Sequence, residues 1–297
     1  MIGMNAVTER PDLLAQPAVT PARAGWHAAL ALEYRRRGAR TLLAARRHHG
    51  PLVVQRPLYP EGEAVCHTIL VHPPAGIVGG DHLNFSASLG EGAHVLLTTP
   101  GAGKWYRSAG GDTPPGRFDQ RIELAAGALC EWLPQESIVY DGALGEQSLS
   151  VELAGDACFI GSEMLCLGRT GSSERFTRGA LALSTRISRD GRPLWLEAGR
   201  IDGGGALLDS PAGLAGQPVV GTLLAASPQV DEALRDACRE IEPAAGEGGV
   251  TLLPGLLVAR WLGPQAEVGQ QWLRALWQVL RPALAGRAAE NPRIWST

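Results

Sequence analysis

The chain has 297 residues, 45% of them hydrophobic, and a formal net charge of −3. That is long enough to bury a large core and too apolar for a disordered chain. The near-neutral balance gives no basic face of the kind that binds nucleic acid, and no run of 18 apolar residues provides a membrane span.

Residues 1–22 show little periodicity and read as a flexible N-terminal arm. No apolar segment follows a basic start there, so no signal peptide is predicted and the expected location is cytoplasmic. Residues 23–297 contain no obvious linker and are expected to form a single domain. From Trp26 the pattern changes. Ala28, Leu30, Leu32 and Tyr34 alternate with period two, which predicts a half-buried strand. The segments 41–43 and 51–55 flank His48-His49-Gly50, which predicts a hairpin turning at that basic stretch. Further strands are predicted over 64–71, 83–89, 93–99, 118–124, 128–133, 147–153, 157–161, 181–188, 193–199, 218–225 and 250–261. Gly, Pro, Asp or Asn punctuates most of the gaps. So many short strands predict a mainly β protein, and no repeat of fixed period is visible.

Two helices are expected in the C-terminal third. Ser227 reads as the N-cap of the first and Pro228 as its first residue, with Val230, Leu234, Ala237, Cys238 and Ile241 on one face. The second runs from about Glu267 to Leu280. Its stripe is Val268, Trp272, Leu276, Val279 and Leu280, and Pro282 is expected to stop it.

Two loops concentrate turn-forming residues beside charged and aromatic ones. They are Val71-His72-Pro73-Pro74-Ala75-Gly76-Ile77-Val78-Gly79-Gly80-Asp81 and Thr98-Thr99-Pro100-Gly101-Ala102-Gly103-Lys104-Trp105-Tyr106-Arg107-Ser108. Two prolines remove two donors and force extended or turning backbone, so the first loop should hold Asp81 in a fixed place. Gly101-Ala102-Gly103-Lys104 resembles a phosphate loop only in part. A P-loop needs Gly five residues before the second Gly and a hydroxyl after the Lys, and here Thr98 and Trp105 stand there.

No triad elbow, H-E-x-x-H or C-x-x-C occurs. The five cysteines, Cys66, Cys130, Cys158, Cys166 and Cys238, are an odd set best read as free, mostly buried thiols in a reducing compartment. His67 and His72 are close enough in sequence to Cys66, Asp81 and His82 to suggest a soft-metal group, against the commoner reading of surface or hydrogen-bonded histidines. Glu136 and Glu163 sit among strand residues, and a buried carboxylate needs a partner. Arg169, Arg107 and Lys104 are the candidates for an internal salt bridge. The functional alternative is a polar path that holds a cation weakly.

Taken jointly, the two loops, the stretch from Pro51 to Gly62, Glu131 to Glu136, Cys166 to Arg169 and Pro292 to Trp295 resemble the urease accessory protein UreD (UreH) family. The resemblance covers nearly everything from Trp26 onward. It departs at Ala75, where the family usually has Gly, and at Arg175, an added charge with no evident partner. What it implies is a β-helix-like stack of strands with two helices. The implied function is a non-enzymatic scaffold and metallochaperone that binds apo-urease subunits and a UreF–UreG complex, UreG being the nickel-carrying GTPase. Ni²⁺ would pass transiently and no cofactor would be tightly bound.

On this resemblance Asp81, Glu136 and Glu163 are the candidates for a weak nickel passage. His72, Pro73, Pro74, Gly79, Gly80, Lys104, Tyr106, Arg107 and Arg169 carry the family loops. Trp272, Arg274, Trp277, Arg281 and Trp295 have the composition of a partner interface. The competing readings are a small anion- or nucleotide-binding enzyme using the Gly101–Lys104 loop, and a plain structural subunit with no role for metal.

Overall fold

The computed structural model describes residues 25–296, so the expected arm over 1–22 lies outside the described residues. A long hairpin opens the fold, β1 (His27–Arg37) and β2 (Arg40–His49). Its turn is at Gly38, where φ is 59°. The expected hairpin at His48-His49-Gly50 is therefore corrected: the chain does turn at Gly50, φ 69°, but Val53 and Val54 beyond it pair with Val71 and Leu70 and not with the segment at 41–43. Arg46 to His49 continue β2, an edge strand whose charged side chains point into solvent. A basic run needs no loop when a strand has water beside it.

The chain then passes through β3 (Val53–Val54), β4 (Val65–Val71), β5 (His82–Leu89), β6 (His94–Thr98), β7 (Gly103–Trp105) and β8 (Gly116–Leu124). It continues with β9 (Leu129–Trp132), β10 (Ser137–Val139), β11 (Leu144–Leu153), β12 (Cys158–Leu167), β13 (Ala180–Arg189) and β14 (Arg192–Asp202). The C-terminal part holds α1 (Ala206–Asp209), β15 (Val219–Ala226), α2 (Glu232–Arg239), β16 (Glu247–Leu253), β17 (Leu256–Gly263) and α3 (Ala266–Ala285). The single strand expected over 250–261 is a hairpin instead, because Pro254 and Gly255, the latter at φ 73°, turn the chain between β16 and β17.

Two sheets result. The first has the order β14-β13-β11-β8-β5-β1-β2, and β1, β5, β8, β11 and β13 run parallel. The second has the order β16-β17-β15-β12-β9-β6-β4-β3, with β10 and β7 branching from β12. Between β4 and β13 the chain alternates from sheet to sheet, which makes the β-helix-like stack that the resemblance implied. Its tight turns repeat one hydrogen bond: Ala93 N to Gly90 O, Ala128 N to Ala125 O and Ala157 N to Ala154 O, each 3.1 Å. Small residues are required because successive turns lie directly on one another: Gly92 N donates to Ala126 O, and Gly127 N to Asp156 Oδ1. The coils differ in length, which hides the repeat from a search for a fixed period.

The side-chain alternation of the second sheet makes two cores. Val95, Trp132, Phe159, Leu165, Leu224 and Val258 face the first sheet. Leu96, Leu133, Ile160, Met164, Leu223 and Trp261 face the other way and pack under α3. The molecule is thus sheet, sheet and helix layer. All five cysteines are free and buried, as expected.

Both helix boundaries need correction. Asp231, not Ser227, caps α2, accepting from Leu234 N at 2.8 Å. Ser227 instead closes a preceding turn through Gln229 N. α3 runs through Pro282 to Ala285, and Gly286 at φ 63° ends it with its N–H on Pro282 O at 3.0 Å. Proline removes one bond of the last turn. The turn survives because Arg281 and Leu284 within it are buried.

Candidate functional site

The strand registers place Glu163, Thr222 and Arg260 in one row across β12, β15 and β17. Glu163 falls on the same face of β12 as Phe159 and Leu165, so it points toward the first sheet. There the sheets do not close, and a cavity of about 440 Å³ remains between them. Leu83, Phe118, Trp132, Phe159 and Leu224 give it apolar walls, and Gln120, Gln147 and Thr222 supply polar groups. The Glu163 carboxylate accepts a short hydrogen bond from Gln147 Nε2. Burial raises its pKa to about 7, the charge of Glu197 adds to the rise, and Arg260 and Gln147 oppose it. Glu163 is thus poised between acid and carboxylate near neutral pH. Glu197, also on the cavity wall, pairs with Arg260, whose Nη1 donates to Thr222 Oγ1 at 2.8 Å.

The two motif loops form the other end of the cavity. They are zipped together by Ile77 N to Lys104 O and Tyr106 N to Ile77 O, both 2.8 Å. Gly76 lies against the Tyr106 ring, where any Cβ would collide. Ala75 adopts φ 61°, the left-handed conformation for which glycine is the usual choice. His72 lines the cavity, and burial lowers its pKa against the opposing charge of Asp81.

The three carboxylates expected to line a passage do not come together. Asp81 is buried and serves the backbone: Oδ1 accepts from Trp26 N at 2.8 Å and Oδ2 from Val78 N at 3.0 Å. It locks the loop and does not reach the cavity. Glu136 also lies off the cavity wall, between Gln135 and Ser137, and its charge acts on Arg274 and Cys166. Only Glu163 lines the cavity. The Cys66 group does not assemble either, since alternation along β4 sends Cys66 and His67 to opposite faces. Among the described residues no group of three or more His, Cys, Asp or Glu is placed to hold a metal ion.

Of the expected partner residues, Trp272, Trp277 and Arg281 are interior, the last fully buried. Arg281 donates to both oxygens of Glu131 and of Glu61. Trp277 Nε1 bonds Glu131 Oε2 at 2.6 Å, and Trp272 Nε1 bonds Ile241 O at 2.7 Å. His94 and His67 complete the group on Glu131 and Glu61. This ionic cluster fastens α3 to the second sheet, and sequence reading missed it. The available signal was Arg281 standing four residues after Trp277 on the apolar stripe. Arg274 and Trp295 are partly accessible and stack, with the guanidinium 4.5 Å from the ring centre.

The remaining loop residues gather at one end of the sandwich. Tyr106 and Tyr140 meet edge to face at 5.1 Å, and Arg169 lies 4.8 Å over Tyr140 while pairing with Glu174. Arg107 and Arg178 pair with Asp141. Arg175 finds its partner in Asp209 at 2.8 Å. Pro73 and Pro74 sit at the surface of the loop, Gly79 packs against Thr113 and Ser108, and Gly80 turns at φ 89° beside Gly25. Gly101–Lys104 is no phosphate cradle. Gly103 N is bonded to Glu136 O at 2.8 Å, and Gly103–Trp105 is a strand paired with β10.

Residues 27–296 match the profile of the family described as UreD urease accessory protein. A protein named urease accessory protein UreD from Azoarcus sp. (strain BH72) is 65% identical over 99% of this chain and 100% of its own length. Relatives of the same name from Dechloromonas aromatica (strain RCB) and Pseudomonas aeruginosa (strain UCBPP-PA14) are 51% and 52% identical, covering 96% and 97% of this chain and 98% of their own lengths.

Proposed function

The chain belongs to the UreD family of urease accessory proteins, and on that premise we propose that it is a non-enzymatic scaffold of urease maturation. It holds apo-urease subunits on one surface and a UreF–UreG complex on another, in the cytoplasm. Ni²⁺ is its cargo and crosses it between the two sheets. The observation that carries this reading is Glu163, a carboxylate with one amide partner, facing a 440 Å³ cavity. Oxygen donors in small number suit an ion that must leave again, whereas a closed His/Cys set would keep it. When a cation arrives, the Glu163 proton can leave and the carboxylate balances charge that the apolar walls cannot. Gln147 and Thr222 offer further oxygens along the wall.

The scaffold reading is tested by producing the urease subunits and the other accessory proteins in cells, with nickel, with and without this chain. Active urease is expected only with the chain present, and purified apo-urease should retain it together with the UreF–UreG complex. Full activity in its absence would contradict the reading.

A further inference from the structure

Charge is unevenly placed along the chain. Between Tyr34 and Pro60 stand seven arginines and no Asp or Glu, although the whole chain has 27 Lys and Arg against 30 Asp and Glu. Everything outside that segment therefore carries ten more acidic than basic residues. Six of the seven arginines lie on the β1–β2 hairpin, and all six are exposed. Arg40 pairs with Glu63 at 3.2 Å and Arg47 with Glu33 at 3.3 Å, and Arg36 donates to Gly38 O and Gly92 O. Arg35, Arg37 and Arg46 have no carboxylate partner among the described residues.

The same hairpin ends the first sheet. Thr41 N reaches Glu63 O at 3.0 Å, but from Ala44 to His49 the outer edge of β2 has no backbone partner among the described residues. An exposed edge is a template for another strand, and proteins blunt it with charge. Blunting does not require a single sign. β14, the opposite edge of the same sheet, carries Arg192, Glu197, Arg200 and Asp202, and all but Arg192 are in ion pairs. β2 instead offers Arg46, Arg47, His48 and His49 with no acid among them.

The edge also limits what can answer it. A strand edge presents both N–H donors and C=O acceptors. The phosphates of a nucleic acid or a lipid surface supply acceptors only, whereas another polypeptide strand supplies both. A second copy of β2 would set arginine against arginine, which is destabilising.

We infer that the outer edge of β2 from Ala44 to His49 is a docking edge for an extended acidic segment of a partner protein, which joins the seven-stranded sheet as a further strand and sets its carboxylates against Arg46 and Arg47. Arg35 and Arg37 add to the field that steers it in. The inference rests on the scaffold reading for the partner's identity as a protein of urease maturation.

The test places a photo-reactive amino acid at the exposed Ala44 of the full-length chain, in cells that make urease and the other maturation proteins. Irradiation should cross-link it to an acidic segment of one of those proteins, identified by peptide mass spectrometry. Retention of that protein by the purified wild-type chain should fall as salt rises. Arg46→Glu with Arg47→Glu should weaken retention by about tenfold or more, and Arg46→Gln with Arg47→Gln should weaken it less. Arg192→Glu, the same charge change at the opposite edge, should leave it unchanged. Melting curves separate lost docking from lost fold. Cross-linking to nucleic acid, to a second copy of this chain, to a segment without acidic residues or to nothing overturns the inference, as does undiminished retention by the reversed variant. An acidic segment from a protein outside urease maturation would uphold the docking edge and contradict the scaffold reading.

Discussion

Glu131 and Glu163 stand on neighbouring, parallel strands, β9 and β12, and face opposite sides of one sheet. Glu131 points under α3, fully buried, and is met by Arg281, Trp277 Nε1 and His94. Glu163 points into the cavity and is met by one amide. The first is a carboxylate completed by its own chain, and its role is to fasten a helix. The second is left with acceptor capacity unused, and its role lies with something that comes and goes. The face on which a glutamate falls, not its local sequence, decides between structure and chemistry here.

Breaking the completed side should have the largest effect. Arg281→Met leaves Glu131 and Glu61 buried without their guanidinium. Removing one partner of such a group costs about 3–5 kcal/mol, to be read as a drop in urea midpoint. Changing the open side should do the reverse. Glu163 has a folded pKa of about 7, above its unfolded value near 4.5, so the stabilising proton is fully present below about 4.5 and lost as pH rises through 7. Glu163→Gln carries no such loss and should be more stable than wild type at pH 8, by on the order of 3 kcal/mol. The two should converge near pH 4.5. Melting curves at the two pH values measure this, and a variant less stable than wild type at pH 8 would contradict the assignment.

Glu61 behaves oppositely. Burial pushes its pKa up, but hydrogen bonds from His67 and Arg281 outweigh it and hold the group at about 2. Its contribution is present above about 4.5 and lost as pH falls toward 2. Glu61→Gln should therefore flatten the acid limb of the stability profile while lowering stability at neutral pH. The smallest effect concerns the loop. Ala75→Gly relieves a left-handed alanine and should be neutral or stabilising by up to about 1 kcal/mol, since glycine loses more chain entropy.

Much of this architecture was legible because the strands are short, alternating and punctuated. The coil turns at Gly90–Ala93, Ala125–Ala128 and Ala154–Ala157 are visible as clusters of small residues once their stacking is known, but their unequal spacing conceals them. The errors had local causes. His48 and His49 looked like a turn because charge was read as loop, yet an edge strand tolerates it. Pro282 looked like a stop, yet buried neighbours held the last turn. The site was legible only in part. Asp81 and Glu136 stand in family motifs and Glu163 just before one, and each has a different environment set by partners distant in sequence. Asp81 is claimed by Trp26, 55 residues earlier. Arg281 reaches Glu131 across 150 residues. No local pattern encodes such pairings, so side-chain chemistry alone could not separate the fastening groups from the open one.

The most direct test of the open carboxylate is the nickel content of urease purified from cells that carry Glu163→Gln in place of the wild-type chain, with the other maturation proteins and nickel supplied. The account predicts that the variant accumulates normally and stays in complex with apo-urease, while the urease it serves is largely nickel-free and inactive. Urease filled with nickel to the wild-type level would contradict it.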